Sequence, residues 1–236
     1  MTEISRRTAV QALGMGAVAM TAMDSVEAQQ PASAFAPAFT GAYQPRPLKF
    51  DPAKLDGLSE RLIRSHWENN YQGSVKTLNA LRPRLATALA DSEAPAAIYG
   101  SLKREELHRT GSVVLHEIYF DALGGNGAAA GSIRDAITTA FGSFTTWEAE
   151  FRRIGMSLAG GSGWAILAYN LHTRSLNNHW ASDHMHGVAA GVPLLVLDMY
   201  EHSFHMDYGT QAARYIDAWF RNLDWEAIDR RYAQVI

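Results

Sequence analysis

The stretch that most constrains the fold of this chain is segment 192–208, where an apolar run is followed at once by acidic and imidazole side chains. Residues 192–197 are apolar, which predicts a short buried strand. Asp198 stands where that run stops, and Glu201 and His202 follow within four residues. A carboxylate at a strand end and an imidazole four residues later can point to one metal ion from a single rigid corner. The segment therefore predicts half of a metal site.

Composition limits the chemistry of such a site. The chain has 236 residues, enough for one large domain or two small ones. It has no cysteine, which excludes disulfides, zinc fingers, iron–sulfur clusters and thiol nucleophiles. Any metal must then be held by His, Asp or Glu, which suit iron, manganese, zinc or copper(II). The net charge of -3 gives no basic stripe for phosphates, so we expect no nucleic-acid partner.

The first 29 residues read as a targeting segment. Arg6 and Arg7 form a twin-arginine pattern, and an apolar run rich in Gly and Ala follows over 9–23. This run is too short for a membrane span, and small residues at 26–28 suit a signal peptidase. We predict a twin-arginine signal over 1–29, export to the periplasm or the outside, and no stable membrane insertion after cleavage. The alternative is an N-terminal helix without a targeting role.

Residues 51–127 are predicted to form a helical hairpin domain. Apolar residues recur at helical spacing from a cap at Ser59 to about Leu89, and again over about 98–123. Pro83 lies within the first pattern and is expected to kink or end that helix. Two long helices joined by a short loop pack as an antiparallel pair.

Residues 30–50, rich in Ala, Pro, Gly and Ser, are predicted to be a linker or surface arm. A glycine-rich hinge at 124–131 marks the boundary of a C-terminal α/β domain, 128–236. Together with the hairpin this predicts an α+β fold with a three-stranded antiparallel sheet. The predicted elements of the second domain are helices 132–142 and 144–158, strands 164–169, 176–182 and 193–198, and helices 212–221 and 225–232.

Nine histidines are present, and most need no special role. His66 and His116 lie one on each helical pattern of the predicted hairpin, so they can face each other across it. Together with Asp198 and His202 they predict one redox metal site, and no catalytic side chain beyond these ligands is predicted. A less favoured alternative is a surface metal site at the histidine cluster His179, His184 and His186.

Several segments of the chain resemble, in order, signatures of the iron/manganese superoxide dismutase family. Segment 70–79, Asn-Tyr-Gln-Gly-Ser-Val-Lys-Thr-Leu-Asn, resembles the signature of the first helix, and 115–123 resembles the ligand segment of the second. Segments 140–144 and 161–164 are similar to the start of the linker helix and to the sheet entry. Segment 198–202, Asp-Met-Tyr-Glu-His, resembles the family signature Asp-x-Trp-Glu-His.

The resemblance implies a helical hairpin followed by an α/β domain, the architecture predicted above. It implies that His66, His116, Asp198 and His202 bind one iron or manganese ion per subunit, with solvent in the fifth position. It also implies the activity, which is conversion of superoxide to oxygen and hydrogen peroxide by redox cycling of that ion. Surplus positive charge on the ion attracts the anionic substrate, and hydrogen bonds around the ligands set the potential.

The resemblance also implies a homodimer. In the family, the glutamate of the last signature reaches across the dimer interface to the metal-binding histidine of the other subunit, which assigns this role to Glu201 with His202. Elsewhere the chain departs from the family pattern. Ser74 occupies the position of the gatekeeper tyrosine, and Ser112 and Ser182 occupy the two positions from which the active-site glutamine comes.

Further departures surround the ligands. Asn70 and Tyr71 replace the usual paired histidine, and His205 replaces the tyrosine after the last ligand. We hypothesise that Asn70 and His205 pair across the interface, and that His184 or His179 takes the place of the missing glutamine. The candidates for tuning the metal are Ser74, Tyr71, His184, Glu201 and His205.

Two other functions remain open on the sequence. The altered surroundings of the ligands favour a non-catalytic or retuned metal-binding protein of the same fold. A zinc hydrolase on the same ligands is disfavoured, because the set leaves one solvent position and no positioned base beyond Glu201. The choice between iron and manganese and between dimer and tetramer also stays open, since the glutamine that usually accompanies the metal choice is missing.

Overall fold

The N-terminal arm packs along the first long helix in the computed structural model, which describes residues 35–236. The predicted signal over 1–29 therefore lies outside the described residues. The backbone N–H of Tyr43 donates to Asn79 Oδ1 at 3.0 Å, and Asn79 Nδ2 donates to the Tyr43 carbonyl at 2.9 Å. These paired bonds fix the described part of the predicted arm to the hairpin.

The first half of the fold is the predicted helical hairpin. Ser59 caps its first helix, because Ser59 Oγ accepts from the N–H of Leu62 at 3.1 Å. The two long helices are joined by a short connection and pack side by side. The elements of the hairpin are α1 (Glu60–Ser65), a π-helical turn (His66–Tyr71), α2 (Gln72–Ala90) and α3 (Ala96–Asp121).

Helix α2 does not end at Pro83, contrary to one of the two predicted outcomes, but continues to Ala90. Proline lacks the N–H that would bond the carbonyl four residues back, which is that of Asn79. The N-terminal arm lies against this carbonyl. A Cβ added at Gly41 of the arm would lie only 2.3 Å from the main-chain oxygen of Asn79. The irregularity lies earlier, in the π-helical turn at His66–Tyr71, a type of turn common at functional sites.

The second half of the fold surrounds a three-stranded antiparallel sheet of order β2-β1-β3, which confirms the predicted α+β class. Strand and helix bounds agree with the sequence to within about two residues, except for the short helix α6, which the sequence did not predict. The domain boundary near 124–131 stays a prediction. The elements are α4 (Ser132–Phe141), α5 (Phe144–Ser157), β1 (Trp164–Asn170), β2 (Ser175–Ala181), β3 (Gly191–Asp198), α6 (His205–Tyr208), α7 (Ala212–Arg221) and α8 (Trp225–Ala233).

The register of the sheet brings three chain segments to one corner. Trp164, the first residue of β1, pairs with Ala181 at the end of β2 and with Asp198 at the end of β3. Asp198 is fully buried, as expected for the end of the predicted buried strand. The loop 182–190, which follows β2, therefore begins at the same end of the sheet as Asp198, with Trp164 between them. Among the described helices, none has the length and apolarity needed to cross a bilayer.

Candidate metal centre

Four side chains meet between the hairpin and the sheet. His66 comes from the π-helical turn, His116 from α3, Asp198 from the end of β3, and His202 from the short 3₁₀ turn after it. One ligand-type atom of each lies within 4.8 Å of the others. His66, His116 and Asp198 are buried, whereas 25% of the His202 side chain is exposed. The structure thus brings together all four predicted ligands, although their binding of a metal stays a prediction.

The imidazoles converge on one oxygen of the carboxylate. Nε2 of His66 and Nε2 of His202 each lie 3.1 Å from Asp198 Oδ2, and Nε2 of His116 lies 3.6 Å from it. The Nε2 atoms of His66 and His116 are buried and make no hydrogen bond. Buried polar atoms normally have a partner, because desolvating them without one is costly. Buried ring nitrogens that converge in this way fit a metal ion as their shared partner.

Hydrogen bonds outside the cluster orient its members. His116 Nδ1 lies 2.7 Å from the Ser112 carbonyl, which places the ring proton on Nδ1 and leaves the Nε2 lone pair toward Asp198. Asp198 Oδ1 accepts from the N–H of Tyr200 at 2.8 Å, and its main-chain carbonyl accepts from the Tyr215 hydroxyl at 2.8 Å. Oδ2 is thereby directed toward the histidines.

The protonation states suit a metal site. Burial lowers the pKa of His116 to about 3 and also lowers the pKa of His66, so both rings are neutral near pH 7. Burial opposes ionisation of Asp198, but His202 and His66 beside it hold the pKa of this carboxyl well below its usual range. Metal ligands have to be deprotonated, and these three side chains already are.

Aromatic side chains enclose the cluster. The His66 ring packs 5.0 Å from Tyr119 and 4.9 Å from Phe120 between centroids, and His116 lies 5.2 Å from Trp164. A shell of this kind limits access of water and keeps the local dielectric low.

Ser74 and Ser112, two of the serines that depart from the family pattern, form a hydrogen bond with each other. Ser74 Oγ and Ser112 Oγ are 2.8 Å apart, and both residues are buried. Ser112 Oγ also lies 3.3 Å from His116 Nδ1. The sequence singled out both positions, but their pairing, which joins α2 to α3 next to a predicted ligand, was not anticipated.

His184 lies beside the cluster, and His179 does not. The indole N–H of Trp164 donates to His184 Nδ1 at 3.0 Å, and the His184 ring stacks on Tyr200 at 4.7 Å and lies 5.8 Å from His116. Burial lowers the pKa of His184 to about 4. His179 is opposite Ile166 in the sheet and has no ring contact with the four side chains in the described part of the chain.

Tyr71 connects the arm to the neighbourhood of the site. Its hydroxyl accepts from the N–H of Arg46 at 2.7 Å and donates to Glu117 Oε1 at 2.9 Å, and burial raises its pKa to about 12. Arg46 Nε pairs with Glu117 Oε2 at 3.1 Å. Sequence reasoning missed Arg46 and Glu117. The one available signal was an acidic residue directly after His116 in an otherwise apolar stretch.

Glu201 and His205 face solvent in the single chain. Asn70, half-buried on the π-helical turn, and His205 were predicted to pair across a dimer interface, and this stays a prediction. The same holds for the predicted contact of Glu201 with a second copy.

The chain is similar to known superoxide dismutases over most of its length. Residues 129–231 match the family model of the iron/manganese superoxide dismutases, C-terminal domain. The iron superoxide dismutase of Cupriavidus metallidurans is 51% identical over 194 residues, which cover 82% of this chain and 98% of that protein. The iron enzyme of Aquifex pyrophilus is 30% identical, covering 78% of this chain and 89% of the relative. Manganese superoxide dismutase 1 of Halobacterium salinarum is 30% identical, and the match covers 81% of this chain and 96% of that protein. With its cluster of three histidines and one aspartate, this chain belongs to the iron/manganese superoxide dismutase family.

Proposed function

We propose that the chain is a superoxide dismutase whose metal ion is held by His66, His116, Asp198 and His202, with one ion per subunit. The observation that carries the proposal is the convergence of buried, neutral imidazoles on one ionised carboxylate. Iron or manganese in this set would supply one-electron exchange, by which one superoxide is oxidised to dioxygen and the next is reduced, with two protons from the solvent, to hydrogen peroxide.

The side chains provide the conditions for this reaction. Three neutral imidazoles and one carboxylate contribute a single negative charge, so the occupied site stays positive and attracts a small anion. The rings of Tyr119, Phe120 and Trp164 exclude larger molecules and bulk water. The test is metal content and superoxide dismutation measured on the same purified sample. Bound iron or manganese without dismutation would instead support a retuned metal-binding protein, the alternative favoured by the Ser74–Ser112 pair.

We infer that His184 supplies the hydrogen-bond donor that the missing glutamine supplies in relatives with the usual pattern. An indole N–H can only donate, so the bond from Trp164 requires Nδ1 of His184 to be unprotonated. A neutral His184 therefore carries its proton on Nε2 and is a donor there. Its low pKa keeps it neutral near pH 7.

Replacement of His184 with alanine is expected to lower the dismutation rate by about 10- to 100-fold, the usual effect of losing an outer partner of a metal site. Metal content should be unchanged, and the midpoint potential should move. His184→Gln, which restores an amide donor, should recover part of the rate. His179→Ala is the control, because that ring lies away from the cluster. Equal rates for wild type and His184→Ala would remove the assigned role.

We further propose that the protein is a homodimer through the Glu201–His202 region. The support is the exposure of this face: Glu201 and His205 are exposed, 43% of Met206 is exposed, and His202 is the least buried of the four clustered side chains. A carboxylate that accepts from His202 of a second copy would cover a metal ligand that is otherwise open to water.

Glu201→Ala is expected to raise the dissociation constant of the dimer by at least about 30-fold, since truncating one member of an interfacial charged hydrogen bond costs 2 kcal/mol or more. Sedimentation velocity over a dilution series measures it. Glu226→Ala, with a side chain 87% exposed on α8, is the matched control. An unchanged dissociation constant in the Glu201 variant would place the interface elsewhere.

The twin-arginine pattern supports a proposal that the protein is exported to the periplasm or beyond. Replacing Arg6 and Arg7 with lysine keeps the charge but removes the pattern. We expect the lysine variant to accumulate in the cytoplasm at its full length, as judged by cell fractionation and mass spectrometry. Export of the variant at the wild-type level would show that another signal directs the protein.

A further inference from the structure

A glycine in the middle of α3 allows the loop 182–190 to touch the helix backbone. A Cβ added at Gly111 would meet the carbonyl oxygen of His184 at 1.8 Å and its carbonyl carbon at 2.9 Å. Both are main-chain atoms, which cannot turn aside as a flexible side chain can. The position therefore requires glycine for as long as the loop keeps its place.

The requirement is specific to this site on the helix. Gly100 lies on the same helix, and a Cβ there would meet nothing within 4 Å. Glycine in a helix interior is unfavourable, so a glycine that admits a neighbouring backbone has a packing reason that Gly100 lacks. Gly111 also directly precedes Ser112, whose carbonyl orients His116.

The contact fixes where the His184 ring can be. Nδ1 of the ring accepts a hydrogen bond from the Trp164 indole N–H at 3.0 Å, and the ring stacks on Tyr200 with centroids 4.7 Å apart. The main chain of His184 lies against Gly111. Trp164 is paired with both neighbouring strands, and the N–H of Tyr200 donates to Asp198 Oδ1 at 2.8 Å, so both residues are held to the sheet rather than to the loop. A displacement of the backbone by about 1 Å would break the bond to Trp164, because hydrogen bonds weaken steeply with distance and angle.

We propose that Gly111 is a positioning residue: its missing side chain seats the loop 182–190 on α3 and thereby sets the His184 ring beside the metal ligands. The proposal rests on the dismutase function and on the donor role of His184. It explains why this chain can lack glutamine at position 112, since the loop backbone lies against the helix one residue away and delivers an imidazole instead.

Crystal structures of the metal-loaded wild type, Gly111→Ala and Gly100→Ala test the geometry. We expect the Trp164–His184 bond in the wild type and in Gly100→Ala, and its loss with outward movement of the loop in Gly111→Ala. A wild-type crystal structure in which the loop stands away from Gly111 would overturn the proposal, even if Gly111→Ala failed to fold. So would a Gly111→Ala structure that keeps the bond.

The midpoint potential of the bound metal tests the consequence. Gly111→Ala should move it in the same direction as His184→Ala and by a comparable amount, and the double variant should show no further shift, as expected when two residues act through one contact. Additive shifts would contradict the proposal. Because potentials and structures do not require turnover, a metal-loaded wild type without dismutation would refute the proposed function while leaving the positioning role to be judged on its own results.

Discussion

Asp198→Asn is expected to reduce metal affinity and dismutation rate by at least about 100-fold, more than the loss of an outer partner. The oxygen Oδ2 is the point on which all three imidazoles converge, at 3.1 to 3.6 Å. Asparagine nearly preserves the shape and keeps an oxygen for the N–H of Tyr200, which bonds Oδ1 at 2.8 Å. The variant therefore removes the charge, leaving three neutral ligands that hold a divalent or trivalent ion weakly.

Elemental analysis and dismutation rate, measured on the same preparation after dialysis, check this prediction. Asp135→Asn is the matched control, since 83% of that side chain is exposed on α4. Circular dichroism of both metal-free variants shows whether the fold is intact. Full metal content in Asp198→Asn would mean that the ion is bound elsewhere.

The cluster was predicted from local sequence pattern together with the resemblance to the superoxide dismutase family. His116 lies within a long helix and Asp198 ends a run of buried residues, so the helix and strand periods indicate which way each side chain points. His66 was placed on the first helix, although the structure puts it at the start of a π-helical turn. A helical period of 3.6 residues does not reveal a single wider turn. The His66 side chain is nevertheless buried, as the helical pattern predicts.

The surroundings of the ligands were not predictable to the same degree. The hydrogen bond between Ser74 and Ser112 joins residues 38 positions apart in the chain. The contact of Gly111 with His184 joins residues 73 positions apart. Both depend on packing that no local pattern encodes. The same holds for Arg46 and Glu117, which meet only because the arm lies across the hairpin. Sequence reasoning named the substituted positions, whereas their partners depend on how the two long helices pack and on the paths of one loop and one arm.

Acidification is expected to destabilise the metal-free protein strongly, because the site keeps histidines neutral inside the fold. In the unfolded chain His116 takes up a proton below about pH 6.5, while burial lowers its folded pKa to about 3. Its stabilising contribution is therefore complete above pH 6.5 and is lost as the pH falls toward 3. Because the slope grows toward about 1.4 kcal/mol per pH unit as the unfolded imidazole becomes fully protonated, the free energy of unfolding should fall by about 2 kcal/mol between pH 6.5 and 4.5 from His116 alone.

His66, also buried with a lowered pKa, acts in the same direction. Asp198 does not contribute in this window, because the depressed pKa of a carboxyl removes stability only below the ordinary value near 3.8. Urea unfolding of chelator-treated protein at several pH values gives the slope. His116→Gln should flatten it by about 1.4 kcal/mol per unit, whereas replacing the exposed His172 with alanine should leave it unchanged. A free energy of unfolding that stays constant from pH 6.5 to 4.5 would show that these imidazoles take up protons as readily in the folded chain as in the unfolded one, so that the fold does not hold them neutral for a metal.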